Sequence, residues 1–126
     1  MKENAHIGHG AIVHGATIGK NCMVGMNSVI MDDVELGDEC IVGALTFIRE
    51  DEKIPFRSIV AGNPGKIIKQ VTDEMITWKT KGTQLYQSLC KEMFDHCHTA
   101  EPLREVPVNQ TGHDNFYNTW KKTNRL

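Results

Sequence analysis

Three histidines, His6, His9 and His14, fall within nine residues near the start of the chain. Neutral imidazole is the commonest metal ligand, and the same ring exchanges a proton near neutral pH, so the cluster points to metal binding or to base chemistry. His9 and His14 are five residues apart. In a straight strand an odd offset sends side chains to opposite faces, so one chain can hardly close both rings on one ion. Two subunits can: His9 of one and His14 of the next would face each other across an interface and share a divalent ion, completed by a third ligand. The spacing suits two hydrogen-bonded structural histidines as well. His6 precedes an inward-pointing Ile7 and is expected to face outward.

The segment that must position these rings repeats on a six-residue beat. Aliphatic residues stand at Ile7, Val13, Ile18, Val24, Ile30, Leu36, Val42 and Ile48, and two places before each is Ala5, Ala11, Ala16, Cys22, Ser28, Val34, Cys40 or Thr46. Every step is six residues except that from Val13 to Ile18, which is five and brackets His14 and Gly15. An even repeat keeps residues on one face of an extended chain but rotates out of line in a helix, so the repeat predicts strands. Three six-residue sides make one triangular coil of a left-handed parallel β-helix, with the aliphatic residues stacked in ladders. The beat is expected to end after Ile48, at the charged run Arg49-Glu50-Asp51-Glu52-Lys53. That leaves roughly two and a half coils, fewer than the three or so such stacks need, so further coils upstream or a covering chain are expected.

Downstream, Ser58-Ile59-Val60-Ala61 reads as one more strand, and Gly62-Asn63-Pro64-Gly65 as a turn. Residues 66–71 suit either another extended piece or an approach to a helix. Thr72-Asp73-Glu74 supplies an N-cap and acidic residues for the positive end of a helix dipole. Helices are predicted over about 73–80 and 83–95, divided at Gly82. The organisation expected is therefore coils and a closing loop over 1–71, a helical segment over 72–98, and an extended or partly ordered tail over 99–126.

Other candidates carry less chemistry. Asp32, Asp33, Glu35, Asp38 and Glu39 read as solvated residues at coil corners, and no calcium-loop pattern is present. His96-Cys97-His98 are adjacent at a helix end, where neighbours point apart. Lys66 and Lys69 read as a solvated pair, although a coenzyme A phosphate would suit them. Cys22 and Cys40 occupy small slots of the repeat and are expected as reduced, packed thiols. Fourteen basic and sixteen acidic residues, with no basic run, argue against a nucleic-acid partner. No apolar stretch suits a signal peptide or a membrane span, so a cytoplasmic protein acting on a small molecule is expected.

The run from Glu3 to Gly15, followed by Val24-Gly25-Met26-Asn27-Ser28-Val29-Ile30-Met31-Asp32, resembles the γ-class carbonic anhydrase-like family of hexapeptide-repeat proteins. Gly62-Asn63-Pro64, Trp78-Lys79, Thr83, Tyr86-Gln87 and Pro102-Leu103-Arg104 extend the likeness over roughly residues 3–105, towards the branch containing PaaY and CaiE. The resemblance implies a homotrimer of left-handed β-helices, each with a C-terminal helix, and a metal at each subunit interface. The family's G-H-x4-H-G motif falls on Gly8, His9, His14 and Gly15, making His9 and His14 metal ligands from different subunits. Zinc or another divalent ion there would lower the pKa of bound water for attack on carbon dioxide or a coenzyme A thioester. The family's third histidine ligand and the Arg, Asp and Gln residues that support its site lie in coils preceding the motif, and this chain begins just before it. A site formed by this segment is thus expected to be incomplete, and a truncated chain to be inactive. Two alternatives stay open: a hexapeptide acyltransferase with a histidine such as His14 as a metal-free base, and a non-catalytic trimeric scaffold.

Overall fold

The computed structural model describes residues 1–105 and residue 108. The expected tail residues Phe116, Tyr117 and Trp120 lie outside that set. Nine two-residue strands follow one another: β1 (His6–Ile7), β2 (Ile12–Val13), β3 (Thr17–Ile18), β4 (Met23–Val24), β5 (Val29–Ile30), β6 (Glu35–Leu36), β7 (Ile41–Val42), β8 (Phe47–Ile48) and β9 (Lys53–Ile54). Strands three places apart pair in parallel, giving the ladders β1-β4-β7, β2-β5-β8 and β3-β6-β9. The result is a parallel β-solenoid of three sides. β10 (Ser58–Ala61) continues the first ladder, and β11 (Lys66–Gln70) turns back antiparallel beside it. The residues that left two readings open, 66–71, are thus mostly strand.

The repeat reaches further than expected. Ile54 and Val60 keep the six-residue step after Ile48, and both are buried, so the charged run is only the outward and corner positions of a further side. The solenoid therefore completes about three turns. Its core is the predicted one: Ile18, Val24, Ile30, Leu36, Val42 and Ile48 are buried, with Cys22, Ser28, Val34, Cys40 and Thr46 in the small slots beside them. Both buried thiols are free, and each donates to a carbonyl two sides further on: Cys22 Sγ to Gly37 O at 3.0 Å and Cys40 Sγ to Pro55 O at 3.1 Å. The neighbouring Cys40 and burial together push the Cys22 thiol up, away from ionisation.

The corners are made by left-handed residues, one per side. Asn21, Asn27, Asp33, Glu39, Leu45, Asp51 and Arg57 all have φ between 52° and 62°. These seven are themselves six residues apart. Asn4, Gly10 and Gly15 make the corresponding corners of the first coil, with φ of 56°, 69° and 65°. Gly10 to Gly15 is the five-residue step.

By contact density the chain divides into two compact units, Met1–Thr83 and Gln84–Leu126. A single helix, α1 (Asp73–His96), runs through the division. The break expected at Gly82 does not occur; Gly82 is buried within the helix, where a hydrogen side chain takes least room. Thr72 caps the helix as predicted, its Oγ1 accepting from Met75 N at 3.3 Å. Within the first unit, Arg57 joins corner to helix start, with Nε on Glu39 Oε2 at 2.6 Å and Nη1 on Asp73 Oδ1 at 2.7 Å. Lys79 joins the helix to the first coil: only 3% exposed, its Nζ donates to Asn4 O at 2.5 Å and to Asn21 Oδ1 at 2.7 Å. Asn21 in turn donates to Thr80 Oγ1 at 3.0 Å.

Burial holds the Lys79 ammonium down to about 8 from its usual 10.5. Between those values the unfolded chain binds more protons at this position than the folded one, so the contribution of Lys79 to stability rises with pH across that window. Urea unfolding at a series of pH values should show this rise in the wild type and a flatter curve in Lys79→Met. Lys79→Ala, which also strands the Asn4 and Asn21 acceptors, should cost about 2–3 kcal/mol.

Candidate functional site

His9 and His14 stand at the two ends of one side of the first coil. His9 precedes the Gly10 corner, β2 crosses the side, and His14 precedes the Gly15 corner. Five residues of extended chain separate them by up to roughly 16 Å at ~3.3 Å per residue. Both are exposed. A single chain therefore does not bring them together, and among the described residues no three His, Cys, Asp or Glu side chains converge as a metal site would require. His6 lies on β1 opposite Met23, on a different ladder from either ring's corner. Burial, and after it the charges of Lys79 and His9, hold its imidazole below the usual histidine range.

The five-residue step gives His14 a partner that sequence reasoning had assigned to solvent. Along β2 the coils pair seventeen residues apart, Ile12 opposite Val29 and Val13 opposite Ile30. Along β3 they pair eighteen apart, Thr17 opposite Glu35 and Ile18 opposite Leu36. Between the two registers the lower coil has one residue more than the upper. The His14 N–H still reaches Ile30 O at 2.9 Å in the first register, and the Asp33 N–H reaches Gly15 O at 3.2 Å in the second. The residue left over is Asp32. Its carboxylate fills the space where the upper corner is short, with Oδ2 2.9 Å from His14 Nδ1. Its other oxygen lies beneath Gly15, so near that a β-carbon there would stand 2.3 Å from Oδ1. A carboxylate can only accept, so Nδ1 carries the proton in this contact and Nε2 keeps its lone pair. The signal was available: the one short step places an unmatched acidic residue eighteen positions after a histidine.

The two glycines of the G-H-x4-H-G pattern now have separate physical reasons. At Gly8 an added β-carbon would stand 2.7 Å from Met26 N and 2.8 Å from Val24 O, backbone atoms of the next coil. Gly15 combines a left-handed φ with the carboxylate beneath it.

The side between the two histidines is apolar on its outer surface. Ile12, Val29 and Phe47 stack there in register, whereas the outer ladder of β3-β6-β9 is Thr17, Glu35 and Lys53. Lys53 and Glu35 form an ion pair at 3.2 Å. Ile12 is 54% exposed, and Met26 and Leu45, at the corner on the His9 end, are 55% and 71% exposed. Leu45 is also one of the left-handed corner residues, a conformation that costs a leucine roughly 1–2 kcal/mol.

Comparison with known proteins places this arrangement in a class. Residues 15–50 match the family described as bacterial transferase hexapeptide, six repeats. The chain is a hexapeptide-repeat protein. It lies with the CaiE branch of that class: it is 41% identical over 108 residues to the carnitine operon protein CaiE of Escherichia coli K12, covering 86% of this chain and 55% of that one. Against the CaiE of Salmonella agona it is 41% identical over 110 residues, covering 87% and 56%. The chain thus spans about half the length of the curated relatives it matches. Among solved structures, a Bacillus cereus protein described as a candidate acetyltransferase is 31% identical, with a TM-score of 0.56 over 68% of this chain and 54% of that one. A hexapeptide transferase family protein from Anaplasma phagocytophilum shares the fold, with a TM-score of 0.62 at 23% identity over 71% and 62%. Among the described residues no helix is long and apolar enough to cross a membrane.

Replacing Gly15 by alanine adds a strained φ and expels the Asp32 carboxylate. Gly15→Ala should lower stability by about 1–3 kcal/mol. A urea midpoint equal to that of the wild type would show that the carboxylate does not occupy this space.

Proposed function

We propose that this chain supplies the base for acyl transfer from a coenzyme A thioester to a small-molecule hydroxyl or amine, with His14 as that base. The observation that carries the reading is the exposed His14 ring with Nδ1 on the Asp32 carboxylate, which makes Nε2 the atom to take a proton. The match to the transferase hexapeptide family and the likeness to the Bacillus cereus structure support the same chemistry. In the reaction, His14 Nε2 takes the proton of the acceptor as its lone pair attacks the thioester carbonyl. Collapse of the tetrahedral adduct breaks the carbon–sulfur bond, and the proton returns to the departing thiolate.

The apolar ladder Ile12-Val29-Phe47, with the exposed Leu45 and Met26, supports assembly with copies of the same chain. In a homotrimer, His9 of one copy would approach His14 of the next, so that substrate lies between subunits. That assembly also permits a second reading, favoured by the same Nδ1 contact. A histidine whose Nδ1 donates to a carboxylate is oriented to give Nε2 to a metal. His14 and a neighbouring copy's His9 would then hold zinc or another divalent ion, which would supply Lewis-acid chemistry toward carbon dioxide or a thioester.

Thiol release from acetyl-coenzyme A in the presence of pooled hydroxyl and amine acceptors, read beside metal analysis and sedimentation, separates these readings. Metal-free protein should transfer the acetyl group, and His14→Ala should lose about 10²–10⁴ of the rate while remaining assembled. Full activity in His14→Ala would overturn the proposal. Activity that tracks bound metal would instead favour the shared metal site, and assembly with neither metal nor activity would leave a scaffold.

A further inference from the structure

The geometry points to Asp32 as a positioning residue for His14, generated by the single five-residue step of the repeat; this rests on the reading of His14 as the working base. Every other corner from Asn21 onward is separated from the next by six residues and stacks on a corner of equal length, so no residue is left over between coils. At His14-Gly15 the upper corner is one residue short. The residue that the lower coil has in excess places Oδ2 2.9 Å from His14 Nδ1 and Oδ1 where a β-carbon on Gly15 would stand.

Three consequences follow for the ring. The proton is fixed on Nδ1, because the carboxylate accepts and cannot donate. The ring's rotation about its side-chain bonds is restrained by its 2.9 Å contact to that carboxylate. Nε2 is consequently presented as a lone pair, the state needed by a base that takes an acceptor's proton. Aspartate suits this place: asparagine can present its amide nitrogen to Nδ1 and select the opposite tautomer. Asp32 thus acts on the substrate only through His14.

Long-range ¹H–¹⁵N correlation of the imidazole nitrogens at pH 9, where a histidine ring is neutral, reads the tautomer without any substrate. The wild type should show His14 protonated at Nδ1 and bare at Nε2. Asp32→Ala should release the ring toward the Nε2–H tautomer favoured by free histidine, and Asp32→Glu should restore part of the wild-type state. In the acetyl-coenzyme A assay, Asp32→Ala should lose about 10–100-fold in kcat with little change in the KM for acetyl-coenzyme A. A wild-type ring protonated at Nε2 would overturn the assignment, and that result does not depend on any variant folding. An Asp32→Ala protein with an altered tautomer and unchanged kcat would overturn it too. The failure of His14 as base is read elsewhere, in full activity of His14→Ala, so the two failures are distinguishable.

Discussion

The constraint on which this structure depends is the vertical hydrogen bonding between coils. Each strand of two residues is too short to hold itself, and it persists because its N–H groups reach carbonyls about one coil on: His6 N to Cys22 O at 2.8 Å, Met23 N to Cys40 O at 2.9 Å, Gly43 N to Val60 O at 2.8 Å. Those bonds force like positions to stack on like. Aliphatic residues then fall on aliphatic residues, small on small, and left-handed corners on left-handed corners, and the core is packed as a consequence of register.

The same constraint turns a missing residue into a side-chain pair. A solenoid can absorb a short step only at a corner, because along a side the lost hydrogen bond has no replacement. Once the corner is short, the coil beneath has one residue without a counterpart. Here that residue is an aspartate and the residue above is a histidine, so the mismatch becomes a paired side-chain site on the outside of a rigid scaffold. A strand-end position backed by stacked coils holds such a pair more firmly than a free loop would. His9, at an in-register corner where Asn27 N donates to its carbonyl at 3.0 Å, has no equivalent acid.

Much of the fold was legible because a six-residue period has one economical solution. The aliphatic and small slots from Ala5 to Ile48 are the strand and core positions observed, and the five-residue step is where His14 meets Asp32. The end of the repeat was misplaced because Lys53 and Glu52 are charged, yet both occupy positions that face out while Ile54 faces in. Gly82 was read as a break from its intrinsic cost, roughly 1 kcal/mol, which helix packing at a buried position outweighs. Asp32 was hidden by its neighbours: among five acidic residues in eight positions, only register distinguishes the one that meets a histidine. His9 and His14 stand at opposite ends of one side of the first coil.

The central claim is that the short corner creates the His14–Asp32 pair. It is tested most directly by inserting one alanine between His14 and Gly15 and determining the crystal structure of the variant. A restored six-residue step should give an upper corner matching the one below, with Asp32 turned out to solvent and its contact to His14 gone. A variant that keeps the His14 Nδ1 contact to Asp32 near its present 2.9 Å would contradict the account.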